Sequence, residues 1–336
     1  MGLLNQLKNK YSVVSIIGMA KNAGKTTALN YILEEAMDEG MCLGVTSTGR
    51  DGESTDLVTG TEKPRVYLEQ GTIVSVPKGL YDLAEAGLEI LRMTNYRTSL
   101  GRLMLCRVAE SGYVQIAGPV ATADQKKMCS EMKALGAEMI MIDGAVDRRS
   151  IAAPDASDAV ILATGAVLSR NMKKVVQETA YVVSICSLPR LSHQRTRKLI
   201  EENRDKITLI ADGRAKTLNL ATGLGSGKFL QQEMSDETEY IYMPGAFTKS
   251  VIADMGNAEL KKTHFVLKDP MKIFFDAVSW HQLMKKGTKV SVLENIKVAA
   301  VTVNPVSPAG YSFGHEDLRE AVSKALPEIP VIDVRL

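Results

Sequence analysis

Cysteine and histidine are both scarce in this sequence, with four of each among 336 residues. The four cysteines are far apart and stand in apolar or helical surroundings: Cys42, Cys106, Cys129 and Cys186. We therefore expect buried thiols in a reducing compartment rather than disulfides. The histidines are scattered as well, and no Cys/His group has the close spacing of a metal site. This argues against a chaperone that delivers a metal through such ligands.

Neither sign of charge is in excess, because 41 basic residues stand against 39 acidic ones. The balance gives no indication of a nucleic acid or an anionic membrane as partner. Apolar runs long enough to cross a bilayer are absent, and the N-terminal sequence is too short and polar for a signal peptide. We expect a cytoplasmic protein with no membrane segment.

Apolar strands alternate with amphipathic helices along the chain. The pattern predicts strands at 11–17, 41–47, 72–76, 138–142, 160–163 and 298–303, and helices at 26–39, 81–93, 122–135 and 169–178. Strands that are apolar on both faces, set between helices, are typical of a mostly parallel sheet covered on both sides. The predicted fold class is therefore α/β.

A phosphate-binding motif follows the first predicted strand: Gly18-Met-Ala-Lys-Asn-Ala-Gly-Lys-Thr-Thr27, here called the candidate phosphate loop. In such a loop, backbone N–H groups converge on phosphate oxygens, and Gly24 has no side chain to block them. Lys25 is predicted to contact the β- and γ-phosphates, and the Thr26 hydroxyl to hold Mg²⁺. The loop also contributes Gly18, Lys21, Asn22, Ala23 and Thr27 to the predicted site. Lys21 either reaches phosphate or stays solvated.

Three carboxylates are candidates for binding Mg²⁺. Asp143 ends the strand at 138–142, at the edge of the sheet where open α/β folds bind ligands. Asp51, and after it Asp56, lie in the loop that follows the second strand, where a solvated loop is the alternative interpretation. Lys25, Asp51 and Asp143 are the predicted catalytic residues. Arg50 and the Arg148-Arg149 pair either stabilise a transferring phosphate or contact a partner protein.

The base is predicted to be adenine, since the Asn-Lys-x-Asp string that many GTPases carry is absent. Asn304-Pro305 follows the strand at 298–303 and is either a base contact or a turn. The predicted cofactors are ATP and Mg²⁺. Residues 1–190 would form the nucleotide-binding domain, with a joint near Ser187-Leu-Pro-Arg190. Residues 191–336 repeat the strand–helix pattern and form either a separate α/β domain or an extension of the sheet.

The candidate phosphate loop, with five residues between Gly18 and Gly24, resembles the P-loop of dethiobiotin synthetase. That P-loop group also contains the ParA-type ATPases, whose signature lysine lies close to the position of Lys21 but offset by one. The run Asp143-Gly-Ala is similar to the Glu-Gly-Ala-Gly of dethiobiotin and cobyrinic acid synthetases. An ATP-dependent synthetase acting on a small carboxylic acid is therefore one functional hypothesis.

Together with the candidate phosphate loop, three longer strings, at 110–119, 142–170 and 302–311, resemble the ATP-binding subunit of the reactivating factor for lysine 5,6-aminomutase. The likeness runs from the loop almost to the C-terminus. This resemblance implies that ATP drives the release of damaged cobalamin from an adenosylcobalamin-dependent aminomutase. It also implies a MutS-like partner subunit. The chain lacks the Asp-x-His-x-x-Gly of a base-off cobalamin carrier. Reactivation of an aminomutase is the leading functional hypothesis. The sequence leaves open whether the chain forms a homodimer.

Overall fold

The computed structural model describes residues 2–48, 65–144, 157–219 and 227–334. The chain forms two compact units, Met1–Thr179 together with Lys297–Leu336, and Ala180–Ile296. Each unit contains its own sheet within the described ranges. The predicted α/β class, with a large and mostly parallel sheet, is confirmed.

The described strands follow one another in this order: β1 Val13–Gly18, β2 Leu43–Ser47, β3 Val66–Leu68, β4 Ile73–Pro77, β5 Gly87–Thr98, β6 Gly101–Glu110, β7 Gly112–Val114, β8 Met139–Asp143, β9 Ala159–Gly165, β10 Ile207–Ala211, β11 Arg214–Leu218, β12 Thr238–Met243, β13 Phe247–Thr248, β14 His264–Leu267, β15 Ile273–Phe274, β16 Lys289–Val292, β17 Val298–Asn304, β18 Val306–Ser307, β19 Tyr311–Ser312 and β20 Val331–Asp333. The described helices are α1 Leu3–Leu7, α2 Lys25–Asp38, α3 Lys78–Tyr81, α4 Thr122–Ala134, α5 Met172–Cys186, α6 Gln194–Glu201, α7 Gly227–Glu233, α8 Lys249–Ile252, α9 Asn257–Lys262, α10 Ala277–Lys285 and α11 His315–Ala325.

The large sheet of the first unit has the strand order β20-β17-β9-β1-β8-β2-β4-β6-β5. Its strands are parallel from β20 to β4, and β6 and β5 are antiparallel additions at one edge. The order reverses at β1, because β8 pairs with one side of β1 and β9, the next strand of the chain, with the other. Ligands of open α/β sheets bind at such a reversal, beyond the carboxyl ends of the strands.

Helices cover both faces of this sheet around β1. Val14 and Ile16 pack in one apolar cluster with α1 and α2. Val13, whose side chain lies on the opposite face, packs with Ile140 and the apolar side of α4. Burial on both faces explains why the central strands are continuously apolar in sequence.

The predicted helix at 81–93 is wrong. The segment 81–93 contains only the last residue of the short helix α3 and then the first part of the strand β5. This strand pairs antiparallel with β6. The Tyr81 hydroxyl donates to the Leu88 carbonyl oxygen over 2.7 Å, which fixes the approach to the hairpin. The strand is largely exposed at the sheet edge, and its pairing with β6, rather than its own apolar spacing, decides its conformation.

The division into units also differs from the predicted joint near residue 190. The second unit begins at Ala180, and the chain returns to the first unit at Lys297. There β17 pairs with β9 and β20 with β17, so the C-terminal segment extends the first sheet. Pairing between strands so distant in sequence has no local signature.

The second unit has a sheet of order β11-β10-β12-β14-β16 in its described part. The last three strands of this order are parallel, and β10 is antiparallel to both of its neighbours. Tyr242, Phe247 and Phe265 are fully buried in its core. Across the described ranges of both units, every helix is too short or too polar to span a membrane.

The structure describes all four cysteines. Cys106, Cys129 and Cys186 are buried, and Cys42 is half-buried. Burial raises the pKa of the Cys106 and Cys129 thiols to about 11. A thiol with a raised pKa is protonated at neutral pH and is a poor nucleophile, so these side chains act as core residues.

Candidate functional site

The candidate phosphate loop connects the carboxyl end of β1 to the first turn of α2. Gly24 is the N-cap of α2 and has φ +99°, in the left-handed region that favours glycine. Asn22 also has a positive φ, of 64°, which asparagine tolerates better than most residues. Because the N-cap has no side chain, it offers no side-chain oxygen to the first N–H groups of α2. A helix start of this kind is suited to binding an anion.

The Lys25 side chain turns back from the start of α2 toward the end of β1. A Cβ atom added to Gly18 would lie 3.0 Å from Lys25 Cγ and 3.1 Å from Lys25 Cδ. The missing side chain at position 18 therefore makes room for the Lys25 stem. The stem of Lys25 therefore lies against the first residue of the loop, and a lysine at a helix start is suited to pair with a bound anion.

The other predicted loop residues differ in how far they are buried. Ala23 is buried, Thr26 and Thr27 are half-buried in the first turn of α2, and Lys21 is exposed. At the start of the loop, the Met19 N–H donates to the Ala163 carbonyl oxygen of β9 over 2.9 Å. The first turn of α2 therefore presents two hydroxyl side chains close to the loop.

Asn304, at the carboxyl end of β17, supports the loop from the side of β9. Its amide nitrogen donates to the Asn22 carbonyl oxygen over 3.2 Å, and its amide oxygen accepts from the Val306 N–H over 3.1 Å. The side chain is 6% exposed. The second bond is the one expected for a turn-forming asparagine. The alternative role of Asn304, contact with a nucleotide base, stays a prediction.

If the loop binds Mg·ATP as the sequence predicts, Gly24→Ala is expected to weaken that binding by at least about tenfold. It should also lower the free energy of unfolding by ~1 kcal/mol. The added Cβ would lie 3.2 Å from Asn304 Cβ, on a backbone that already disfavours alanine. Gly40→Ala is the matched control, because Gly40 follows α2 with φ +66° and no atom of the described residues lies within 4 Å of the added Cβ. Calorimetric titration and thermal unfolding of both variants measure the two effects. Equal nucleotide affinity in the two variants would contradict the prediction that phosphate binds at Gly24.

Asp143 is the last residue of β8, between the carboxyl ends of β1 and β2. In the parallel register it lies opposite Ile16 of β1 and Ser47 of β2. Its main-chain oxygen accepts from the Thr48 N–H over 3.1 Å, and its side chain is half-buried. A carboxylate at this edge is the oxygen ligand that Mg²⁺ prefers. The sheet therefore places Asp143 at the same carboxyl edge as the start of α2, which begins at Lys25. The roles of both residues toward Mg²⁺ and phosphate stay predictions.

Some predicted site residues lie outside the described residues. They are Asp51 and Asp56, together with the three arginines Arg50, Arg148 and Arg149. Their proposed roles toward Mg²⁺ and phosphate stay predictions.

Two side chains that the sequence analysis did not select lie at the same edge, beyond β9 and β17. The Tyr311 hydroxyl donates to the Ala166 carbonyl oxygen over 2.5 Å, and the Arg170 guanidinium carbon lies 5.1 Å from the centroid of the Tyr311 ring. The signal for Tyr311 was an aromatic residue directly after the turn sequence Pro308-Ala309-Gly310. Its partner Arg170 could not be inferred, because the contact joins distant parts of the chain.

Fold and site together define a mixed α/β protein whose large sheet gathers a glycine-capped loop, a lysine and an aspartate at one carboxyl edge. Comparisons of the chain with protein-family profiles, with curated proteins and with solved structures found no match.

Proposed function

We propose that the protein is a P-loop ATPase that binds Mg·ATP at the candidate phosphate loop. One observation carries this proposal: the Lys25 stem folds back across Gly18 at the start of α2, beside the strand where the sheet order reverses. A glycine turn at a helix start is common by itself. A folded-back lysine together with an aspartate on the neighbouring strand supplies two of the groups that phosphoryl transfer uses, a cation for the phosphates and a ligand for Mg²⁺.

Each residue of the site has a distinct role in this proposal. The N–H groups of the loop and of the first turn of α2 bind phosphate oxygens, and the Lys25 ammonium neutralises charge on the β- and γ-phosphates. Thr26 and Asp143 would hold Mg²⁺, which supplies further charge neutralisation when bound. The glycines at 18 and 24 fit this use, since a side chain at either position would occupy space that Lys25 or Asn304 already fills.

We further propose that the energy of ATP serves to reactivate a cobalamin-dependent aminomutase in the cytoplasm. The support is the sequence resemblance, and the three strings that carry it all reach the carboxyl edge of the sheet. The first string contains Gly118, where an added Cβ would lie 1.8 Å from the Ser47 carbonyl oxygen at the end of β2. The second begins at the end of β8 and runs through β9, and the third begins near the end of β17. Each of the three strings therefore includes described residues at the edge that carries the proposed nucleotide site.

Reactivation requires a conformational switch with two states of different affinity for the mutase. ATP can shift such an equilibrium only by the difference in its own affinity for the two states. In this proposal the ATP-bound state binds an inactivated mutase tightly and favours release of the damaged cobalamin. Hydrolysis then returns the protein to the state of low affinity, which releases the mutase.

The test is ATPase activity of the purified chain with Mg²⁺, alone and then with an inactivated aminomutase and the MutS-like subunit. We expect hydrolysis to be stimulated and mutase activity to return when intact cofactor is supplied. The Lys25→Ala variant is the control, and it should restore no mutase activity. Strong hydrolysis driven by a small carboxylic acid and indifferent to the mutase would instead establish a synthetase.

A further inference from the structure

We propose that Tyr311 and Arg170 form the surface on which the base of the nucleotide stacks. This inference rests on the proposed function and extends it from the phosphates to the other end of the ligand. It concerns the part of the sheet edge that lies beyond β9 and β17, away from Asp143.

The direction of the nucleotide follows from the positions of its charged partners. Asp143 lies on β8, on one side of β1, so the terminal phosphate and its metal belong on that side. The nucleoside must then leave the loop toward the opposite side, where β9 and β17 end. Asn304 marks this route, because its side chain contacts the loop at Asn22 and its Cβ approaches Gly24.

The hairpin formed by β18 and β19 holds Tyr311 at this place. It begins two residues after Asn304, and Ser307 pairs with Tyr311 in it. The Tyr311 hydroxyl is bonded to Ala166, the residue after Gly165. An added Cβ at Gly165 would lie only 2.1 Å from the Asn304 carbonyl oxygen, so the ends of β9 and β17 are in close contact. Tyr311 is thereby fixed to the same strand ends that support the loop.

The chemistry of the pair suits a flat aromatic ligand. The Arg170 guanidinium lies over the Tyr311 ring at 5.1 Å, within the range of a cation–π contact, and Arg170 is exposed. Phe313 meets Tyr311 edge to face with 6.2 Å between the ring centroids, which restrains the tyrosine ring. Aromatic and guanidinium planes stack on nucleobases without regard to base identity. The pair therefore adds affinity for a nucleoside and leaves the choice of base to other contacts.

The experiment compares two ligands, Mg·ATP and Mg·tripolyphosphate, which has no base. Tyr311→Ala is expected to weaken Mg·ATP binding by about tenfold, which corresponds to ~1.4 kcal/mol, and to leave tripolyphosphate binding unchanged. Tyr311→Phe keeps the ring and loses only the bond to Ala166, so it should bind Mg·ATP with an affinity close to that of the wild type. Arg170→Ala, at an exposed position, should weaken Mg·ATP binding about threefold without changing the melting temperature.

Two results would overturn the inference, and they differ from failure of the proposed function. One is an unchanged Mg·ATP affinity in both Tyr311→Ala and Arg170→Ala. The other is an equal loss of affinity for Mg·ATP and for tripolyphosphate in Arg170→Ala, which would indicate a contact with phosphate rather than with the base. The proposed function itself fails if the wild-type chain binds neither ligand.

Discussion

Replacing Lys25 with alanine is expected to weaken Mg·ATP binding by about 100-fold or more and to abolish hydrolysis. Lys25 is the first residue of α2, and its stem fills the space that a side chain at position 18 would need. Truncation removes the positive charge that would neutralise the β- and γ-phosphates. The backbone N–H groups of the loop remain and retain weak binding of phosphate. Calorimetric titration and steady-state ATPase assays measure the two losses.

Lys133→Ala is the matched control for this prediction. Lys133 is exposed near the end of α4, on a helix of the same unit. The control should bind and hydrolyse ATP like the wild type, and both variants should unfold cooperatively at similar temperatures. If Lys25→Ala keeps the nucleotide affinity of the control, the loop is not the phosphate site.

Replacing Asp143 with asparagine should raise the Mg²⁺ concentration needed for half-maximal turnover about tenfold and lower kcat about 100-fold. Asparagine keeps the shape of the side chain and loses the negative charge that attracts the metal. Since β8 is buried and its register places Asp143 opposite Ile16 and Ser47, the strand itself should stay in place. ATPase rates measured over a range of Mg²⁺ concentrations report both effects.

Asp158→Asn provides the comparison at the opposite edge of the same sheet. The Asp158 carboxylate accepts from the Ser12 and Val13 N–H groups at the start of β1, over 2.7 and 2.9 Å. Its loss of charge should lower thermal stability slightly and leave the Mg²⁺ dependence unchanged. An identical Mg²⁺ profile for Asp143→Asn and Asp158→Asn would exclude Asp143 as a metal ligand.

The parts of the fold that sequence could predict are those decided by local pattern. The apolar runs gave β1, β2, β8 and β9 to within a few residues, because these strands are buried on both faces. The strand β5 was missed, since an exposed edge strand takes its conformation from its partner. The sequence left open whether residues 191–336 extend the first sheet, and it gave no signal for the return of the chain at Lys297. Nothing near β17 in sequence indicates that it pairs with β9.

The candidate site divides in the same way. Gly24 and Lys25 were selected because a strand, a loop and a helix start follow one another in the sequence, and Asp143 was selected because it ends an apolar strand. The bond from Asn304 to Asn22 joins residues far apart in the chain, so sequence could suggest a turn at Asn304 and not its support of the loop. The Arg170–Tyr311 contact is hidden for the same reason. In physical terms, local geometry was predictable and long-range contacts were not.

The most direct test of the central claim is calorimetric titration of the wild-type chain with ATP, once with Mg²⁺ and once with the metal removed by a chelator. We predict saturable binding at a single site that weakens by about tenfold or more without Mg²⁺. Absence of measurable binding at millimolar Mg·ATP would contradict the account, because a loop with this lysine and this helix start would then not be a nucleotide site.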